Sequence, residues 1–124
     1  MSKKILVVDD SQTVRQQVGI ALTQAGFQVV EAGDGQEGLD ALDQQRDIAM
    51  IICDVNMPRM NGLEMVQAVA NGPHNNIPIV MLTTEGAPQM IARAKQAGAK
   101  GWIVKPFKPD LLIKAAEKLT GQAA

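Results

Sequence analysis

The sequence predicts an α/β domain built on a parallel sheet, and three observations point there. Short apolar runs recur along the 124 residues, each closed by polar or turn-forming residues. Between them, apolar residues return every three or four positions, the period of a helix packed on one face. The runs themselves are continuous rather than alternating, as in Met50-Ile51-Ile52-Cys53, which marks strands covered on both faces. Strands alternating with helices in this way imply βα units and parallel pairing.

Each element has its own signals. Ile5 to Val8 is the first strand, closed by Asp9 and Asp10. Ser11 can cap the following helix, Val14, Val18, Leu22 and Ala25 share its inner face, and Gly26 ends it. Phe27 to Ala32 reads as the second strand. Asp34 and Glu37 have the spacing of a capping box, and Leu39 and Leu42 mark a helix running to near Arg46. Ile48 to Cys53 is the third strand, ending in Asp54. Asn61 and Glu64 repeat the capping pattern before a helix with Leu63, Val66 and Val69 facing in, stopped by Gly72-Pro73. Ile77 to Leu82 is the fourth strand, closed by Thr83 and Thr84. Pro88 suits a first helical turn, but Ala87 is a poor cap; Met90, Ile91 and Ala94 face in and Gly98 ends the helix. Gly101 to Val104 is the fifth strand, ended by Lys105-Pro106. Pro109 opens the last helix, with Leu111, Leu112, Ala115 and Leu119 expected to face the sheet and Gly121 to Ala124 left as a tail. No low-complexity linker interrupts the pattern, so residues 1–124 read as one domain.

Composition narrows the function. Twelve basic residues against 13 acidic ones give a net charge of −1, which does not suit a general phosphate-backbone binder, so no nucleic-acid partner is expected. No apolar run approaches the roughly 20 residues of a membrane span, and the first run lacks the length of a signal-peptide core. The chain reads as cytoplasmic, monomeric and free of membrane contact. The single cysteine, Cys53, lies in an apolar run and reads as a buried, inert thiol. His74 stands alone in a polar loop with no second ligand at metal spacing and reads as solvated.

Topology then gathers the chemistry. Parallel strands point their carboxyl ends to one edge of the sheet, where open α/β sheets bind ligands. Asp9 and Asp10 follow the first strand, Asp54 the third, Thr83 and Thr84 the fourth, and Lys105 the fifth. Taken singly, Asp54 reads equally as a turn-former or a site residue. Taken together, clustered carboxylates repel one another, and a hard divalent cation such as Mg²⁺ relieves that repulsion. Lysine and threonine add a cation and a hydroxyl, and the set suits a phosphoryl group. An aspartate carboxylate can itself be the nucleophile. Asp54, on the central strand, is the best candidate, and the adjacent Asp9 and Asp10 suit metal ligation better. No phosphate-cradling glycine loop is present, so the donor is expected to be a phosphoprotein or a small acyl phosphate rather than ATP.

Four motifs, in order and at matching spacing, carry a resemblance over nearly the whole chain. They are Val7-Val8-Asp9-Asp10-Ser11, Cys53-Asp54-Val55-Asn56-Met57-Pro58 with Gly62, Met81-Leu82-Thr83-Thr84-Glu85, and Lys105-Pro106-Phe107. The chain resembles the receiver domains of two-component response regulators, and Gly101 to Phe107 is similar to the stand-alone, chemotaxis-type members. The resemblance implies a doubly wound (βα)5 fold with strand order 2-1-3-4-5. It implies that Asp54 is the phosphoacceptor. Asp10 and Asp54 would be Mg²⁺ ligands, with Asp9 acting through water and the backbone carbonyl of Asn56 completing the shell. It casts Thr83 as the switch hydroxyl, Lys105 as the lysine that pairs with the phosphoryl group, and the Lys105–Pro106 bond as cis. Trp102 falls where receivers carry an aromatic rotamer switch, commonly Tyr or Phe; a ring packed statically beside the fourth helix is the other reading. Asn56 and Glu85 would flank the path of the water that hydrolyses the acyl phosphate.

These expectations describe a phosphorylation-switched signalling module, not an enzyme beyond slow self-phosphorylation and self-dephosphorylation. A chemotaxis-type sensor histidine kinase would be the donor, with a phosphatase as a further partner. No output domain is expected, so the output would be a surface of this domain. The fourth helix, fifth strand and fifth helix carry Arg93, Lys95, Lys100, Lys108, Lys114 and Lys118 against Asp110 and Glu117. Such a run is either a solvated face or a dock for an acidic partner, such as a flagellar motor switch protein. A relay or phosphate sink without a motor target is the alternative. A hydrolase on the same pocket fits less well, because no further base or substrate cleft is visible.

Overall fold

In the computed structural model, which describes residues 2–84 and 86–122, strands and helices alternate along the chain. They are β1 (Lys4–Val8), α1 (Gln12–Gln24), β2 (Gln28–Ala32), α2 (Gly35–Gln44), β3 (Ile48–Cys53), α3 (Gly62–Ala70), β4 (Ile79–Thr83), α4 (Pro88–Ala97), β5 (Gly101–Val104) and α5 (Pro109–Thr120). All strand pairs are parallel, and the sheet order is β2-β1-β3-β4-β5. This is the doubly wound architecture that the resemblance implied.

Side-chain alternation splits the core in two. Leu6, Val8, Ile51, Cys53, Ile79 and Met81 point to one face, where Leu42 of α2, Val66 of α3 and Ala94 of α4 cover them. Ile5, Val7, Met50, Ile52, Val80 and Leu82 point to the other, against Val18 and Leu22 of α1 and Leu112 and Ala116 of α5. The three inner strands are buried on both sides, whereas the edge strands β2 and β5 are only partly covered. Each fully buried aliphatic side chain contributes about 1.5–3 kcal/mol relative to exposure. Most of that burial lies in the strands that end at Asp9, Asp54 and Thr83. Among the described residues, no helix is long and apolar enough to cross a membrane.

Several boundaries differ from the sequence expectation, for identifiable reasons. Phe27 is buried but precedes β2, because its N–H closes the end of α1 on the Leu22 carbonyl at 3.0 Å. Pro78 lacks an N–H, so β4 begins at Ile79 rather than Ile77; it also extends one residue further and includes Thr83. Helix α2 stops at Gln44, short of Arg46. Leu111 is not an inward residue: it is 54% exposed, because Leu112 beside it takes the core position. His74 is half-buried and pairs with Asp43 at 3.1 Å rather than standing in solvent. Ala87 is the N-cap of α4 and makes no side-chain cap bond, as expected.

The caps differ in kind. At α3, Asn61 and Glu64 form the complete reciprocal box, at 2.9 and 3.1 Å. At α2, Asp34 accepts from the Glu37 N–H at 2.9 Å, but the Glu37 carboxylate turns to the Gly33 N–H instead of closing the box. Asp34 is 5% exposed, and its second oxygen takes Arg59, 2.8 Å from Nε and 2.7 Å from Nη2. The Glu37 N–H holds the Asp34 carboxyl below its ordinary value; burial opposes this, and Arg59 adds to the lowering.

A carboxyl held below its ordinary value stabilises the fold above the unfolded-state pKa, and that increment is lost as pH falls through the folded value. Asp34→Ala should therefore cost about 0.5–2 kcal/mol near neutral pH, the usual range for losing an N-cap. In urea unfolding at a series of pH values, the gap between wild type and variant should hold near neutrality. It should narrow once pH falls below the ordinary aspartate value of 3.8.

Candidate functional site

Register places the site residues. Val8 of β1 pairs with Cys53 of β3, so Asp9 and Asp54 emerge side by side, one residue beyond the ladder. Cys53 pairs with Met81, and Thr83 pairs with Val104, which sets Thr83 higher at the same edge and Lys105 just past it. Backbone bonds fix these exits: the Asp9 N–H donates to the Ala32 carbonyl, the Asp54 N–H to Val8, and the Lys105 N–H to Thr83, at 3.1, 3.0 and 2.8 Å. The Lys105–Pro106 peptide bond is cis.

The Lys105 ammonium reaches back over the sheet end and donates to Asp9 Oδ2 at 2.8 Å and to Asp54 Oδ2 at 3.2 Å. Asp9 Oδ1 accepts the Ser11 N–H at 2.9 Å. Asp54 Oδ1 accepts the Val55 N–H at 2.7 Å and a longer bond from the Asn56 N–H at 3.4 Å. Asp54 Oδ2 is therefore the oxygen turned toward Lys105. Asp9 and Asp54 are 2% and 7% exposed, Thr83 is fully buried, and Asp10 lies open to solvent. Burial raises the Asp9 carboxyl above its ordinary value and the nearby Asp54 charge adds to this; the Lys105 and Ser11 bonds pull the other way. Burial pulls the Lys105 ammonium down, but its bonds to Asp9 and Asp54 outweigh burial, and its pKa rises. Cys53, fully buried beside these carboxylates, is pushed up by burial and held protonated, the inert thiol expected.

One ammonium thus faces three carboxylates. Asp9, Asp10 and Asp54 each offer an oxygen within 4.8 Å of the others. Two come from the buried floor and one from the solvent side, a hard-oxygen set suited to a small divalent cation that keeps several waters. Asn56 lies exposed in the loop after β3. Glu85 lies outside the described residues.

Trp102 is not part of the carboxylate cluster. It is half-buried on β5, packed against the core shared by α2, α3 and α4. It also lines a groove of about 510 Å³ along β5 and α5, with Val104 and Leu111, 48% and 54% exposed, among its walls. Lys100, Lys108 and Lys118 rim that groove, and the remaining basic residues of this face, Arg93, Lys95 and Lys114, are exposed.

Two contributors escaped the sequence. Arg15 of α1 donates to the Asp9 backbone carbonyl at 2.6 Å and to Glu31 at 3.0 Å, bracing the turn that carries Asp9 and Asp10. Arg59, in the left-handed region at φ 63°, ties the loop after Asp54 to the start of α2. Glu31 and Asp34 lie on other elements, so the sheet order brings those two pairs together.

Comparison with known proteins gives matches along nearly the whole chain. The profile of the response regulator receiver domain matches residues 5–117. The chain is similar to a chemotaxis protein CheY homolog of Campylobacter jejuni, 43% identical over 95% of this chain and 92% of the relative. It is also similar to chemotaxis protein CheY1 of Helicobacter pylori, 42% identical over 95% of this chain and 97% of that one. Among solved structures, chemotaxis protein CheY4 of Vibrio cholerae superposes with a TM-score of 0.89 at 43% identity, covering 96% of this chain and 99% of its own.

The loop that presents Asp54 closes on itself where the Gly62 N–H donates to the Val55 carbonyl at 2.8 Å. A Cβ at Gly62 would overlap the Asp54 carbonyl oxygen and crowd Val55, both backbone and unable to step aside cheaply. Gly62→Ala should therefore cost about 1–3 kcal/mol in urea unfolding, the usual range for overpacking. It should also shift the amide signals of residues 54–56 in a heteronuclear NMR spectrum more than those of α5.

Proposed function

The chain belongs to the response regulator receiver family, signalling domains of two-component systems, and we propose that it is a cytoplasmic, chemotaxis-type regulator switched by phosphorylation of Asp54. The observation that carries this is Asp54 Oδ2, nearly buried at the carboxyl end of the central strand and facing the Lys105 ammonium at 3.2 Å. A carboxylate in that position is a nucleophile with a cation beside it for the oxygens of the incoming phosphoryl group.

The reaction divides among the chain's own residues. The phosphoryl donor is a histidine kinase phosphohistidine or a small acyl phosphate. Asp54 Oδ2 attacks phosphorus, the donor's bond to phosphorus breaks, and its electron pair leaves with the imidazole or the carboxylate. Asp54 Oδ1 stays on the Val55 N–H, which keeps the carboxylate aimed. Lys105 exchanges its bond to Asp54 for one to a phosphoryl oxygen, and the Thr83 hydroxyl turns to another. Receiver domains bind Mg²⁺, and Asp9, Asp10 and Asp54, with the Asn56 carbonyl, are the groups that would hold it here. Bound there, it supplies positive charge that screens the carboxylates and the phosphoryl oxygens. Asn56, exposed beside Asp54, leaves the acyl phosphate open to water and suits a short-lived signal.

The output is assigned to the groove of β5 and α5. Its apolar walls and lysine rim suit an acidic amphipathic segment of a target protein, the motor switch in a chemotaxis pathway. Relatives that share nearly their whole length with this chain are chemotaxis proteins, which favours that output over a phosphate sink.

Acetyl phosphate with Mg²⁺ should label Asp54 and no other residue, read by mass spectrometry of the intact and digested protein. Equal labelling of Asp54→Asn would remove the assignment. Lys105→Ala should bind Mg²⁺ as well as wild type or better, since a competing cation is gone, while its response to phosphorylation is lost.

Trp102 is the sole indole and reports the switch. As Thr83 turns toward the phosphoryl group, the ring should move inward from the groove wall. Acetyl phosphate with Mg²⁺ should then change the emission and reduce iodide quenching, and Thr83→Ala should abolish most of that change. Unchanged emission and quenching at proven Asp54 occupancy would make Trp102 a static packing residue.

A further inference from the structure

We infer that the Asp34–Arg59 ion pair is a positioning device for the candidate metal site, holding the loop after Asp54 in the conformation that presents Asp54 and Asn56 to a divalent cation. The inference rests on the function proposed above and assigns residues outside the carboxylate cluster.

The loop from Val55 to Asn61 lies between the phosphoacceptor and α3, and it carries both the Asn56 backbone and the N–H that bonds Asp54 Oδ1. Little regular structure holds it. Its ends are fixed by the Asp54 N–H on Val8 and the Gly62 N–H on Val55. Its middle is closed by the Met60 N–H on the Pro58 carbonyl at 2.7 Å and tied from outside by Arg59. Arg59 grips Asp34 at 2.8 Å through Nε and 2.7 Å through Nη2, a two-nitrogen hold on one carboxylate oxygen, and lies 3.6 Å from Glu37. Met60 beside it packs over Gly35, where a Cβ would meet the Met60 carbonyl oxygen at 2.8 Å. Helix α2 therefore presents a buried, charged cap and a bare backbone patch to one loop.

The backbone at Arg59 supports this. Its φ of 63° lies in the left-handed region, which an arginine adopts only when its surroundings impose it. The Met60 N–H on the Pro58 carbonyl at 2.7 Å closes the turn around it, and Asp34 holds the side chain that this turn projects, its other oxygen being committed to the α2 N-terminus through the Glu37 N–H. The carboxylate thus joins a rigid helix end to the phosphoacceptor loop. Groups of this kind, one step removed from the ligands, set ligand orientation and hence affinity.

The chemistry allows charge to be separated from fold. Asparagine caps helices as well as aspartate does, so Asp34→Asn keeps the α2 cap and removes the charge. Asparagine also tolerates the left-handed region, so Arg59→Asn keeps the backbone and removes the guanidinium. Mg²⁺ affinity of the folded protein, read by calorimetric titration, and urea midpoints would be measured for wild type, both single variants, the double variant and Arg59→Lys. Each single variant should weaken Mg²⁺ binding by about tenfold, the low end of losses from such supporting contacts. The double variant should be no weaker than either single one, because the two residues act as a unit. Arg59→Lys should recover part of the loss.

Undiminished Mg²⁺ affinity in both single variants overturns the inference while leaving the proposed function standing. So does additive loss in the double variant, or a fall in the urea midpoint with affinity unchanged, which marks a purely structural pair. If the wild type fails to bind Mg²⁺ at all, the proposed metal site is wrong and this inference falls with it.

Discussion

Everything at the carboxyl edge of the sheet depends on one ammonium placed between two buried carboxylates. Asp9 and Asp54 leave neighbouring strands side by side and are withdrawn from water. Two unit charges about 4 Å apart interact by about 4 kcal/mol at an effective dielectric of 20, so the pair repels strongly unless a cation answers it. Lys105 answers both at once, at 2.8 and 3.2 Å. The Asp9 carboxyl still sits above its ordinary value, so one lysine does not cancel the cost of burial. Among the described residues, three carboxylates and one ammonium leave the pocket short of positive charge, which suits the divalent cation proposed for it.

The rest of the fold is arranged to keep that pocket from relaxing. Two separate cores hold the inner strands from both faces, so their ends cannot splay to relieve the repulsion. Arg15 braces the Asp9 turn from α1, Gly62 allows the loop after Asp54 to close tightly, and Arg59 ties that loop to α2. The β4–β5 side of the same edge is looser. Helix α4 starts without a side-chain cap, and the β5–α5 groove exposes Val104 and Leu111. A rigid floor beneath Asp54 and a weakly fastened β5–α5 face together suit the proposed switch, whose input is local and whose effect is read at a surface.

Much of this was legible in the sequence because the signals were short-range. Asp9, Asp54 and Lys105 are each the first polar residue past an apolar run, with Asp10 next to Asp9, and parallel pairing sends such residues to one edge. The sequence puts Thr83 at the right edge but leaves open whether it belongs to the strand, because a threonine is as much at home in a strand as after one. Leu111 has the i, i+4, i+8 spacing with Ala115 and Leu119 that marks an inner face, but it lies at the margin of the buried stripe centred on Leu112 and Ala116, and spacing does not say where that stripe ends. The half-closed box at Asp34 looked complete, since spacing cannot show that the Glu37 carboxylate goes to Gly33. Arg15 and Arg59 are not legible as bracing residues, because Glu31 and Asp34 lie 16 and 25 residues away on other elements. Those pairings need the sheet order, and the strand order itself came from resemblance, not from any residue pattern.

A crystal structure with Mg²⁺ and beryllofluoride, which stands in for a phosphoryl group, tests the central claim most directly. The adduct should sit on Asp54 Oδ2, with the Lys105 ammonium released from Asp54 and bonded to a fluoride. An adduct on Asp9 or Asp10, or a Lys105 that still bridges Asp9 and Asp54 beside a bound adduct, would contradict it.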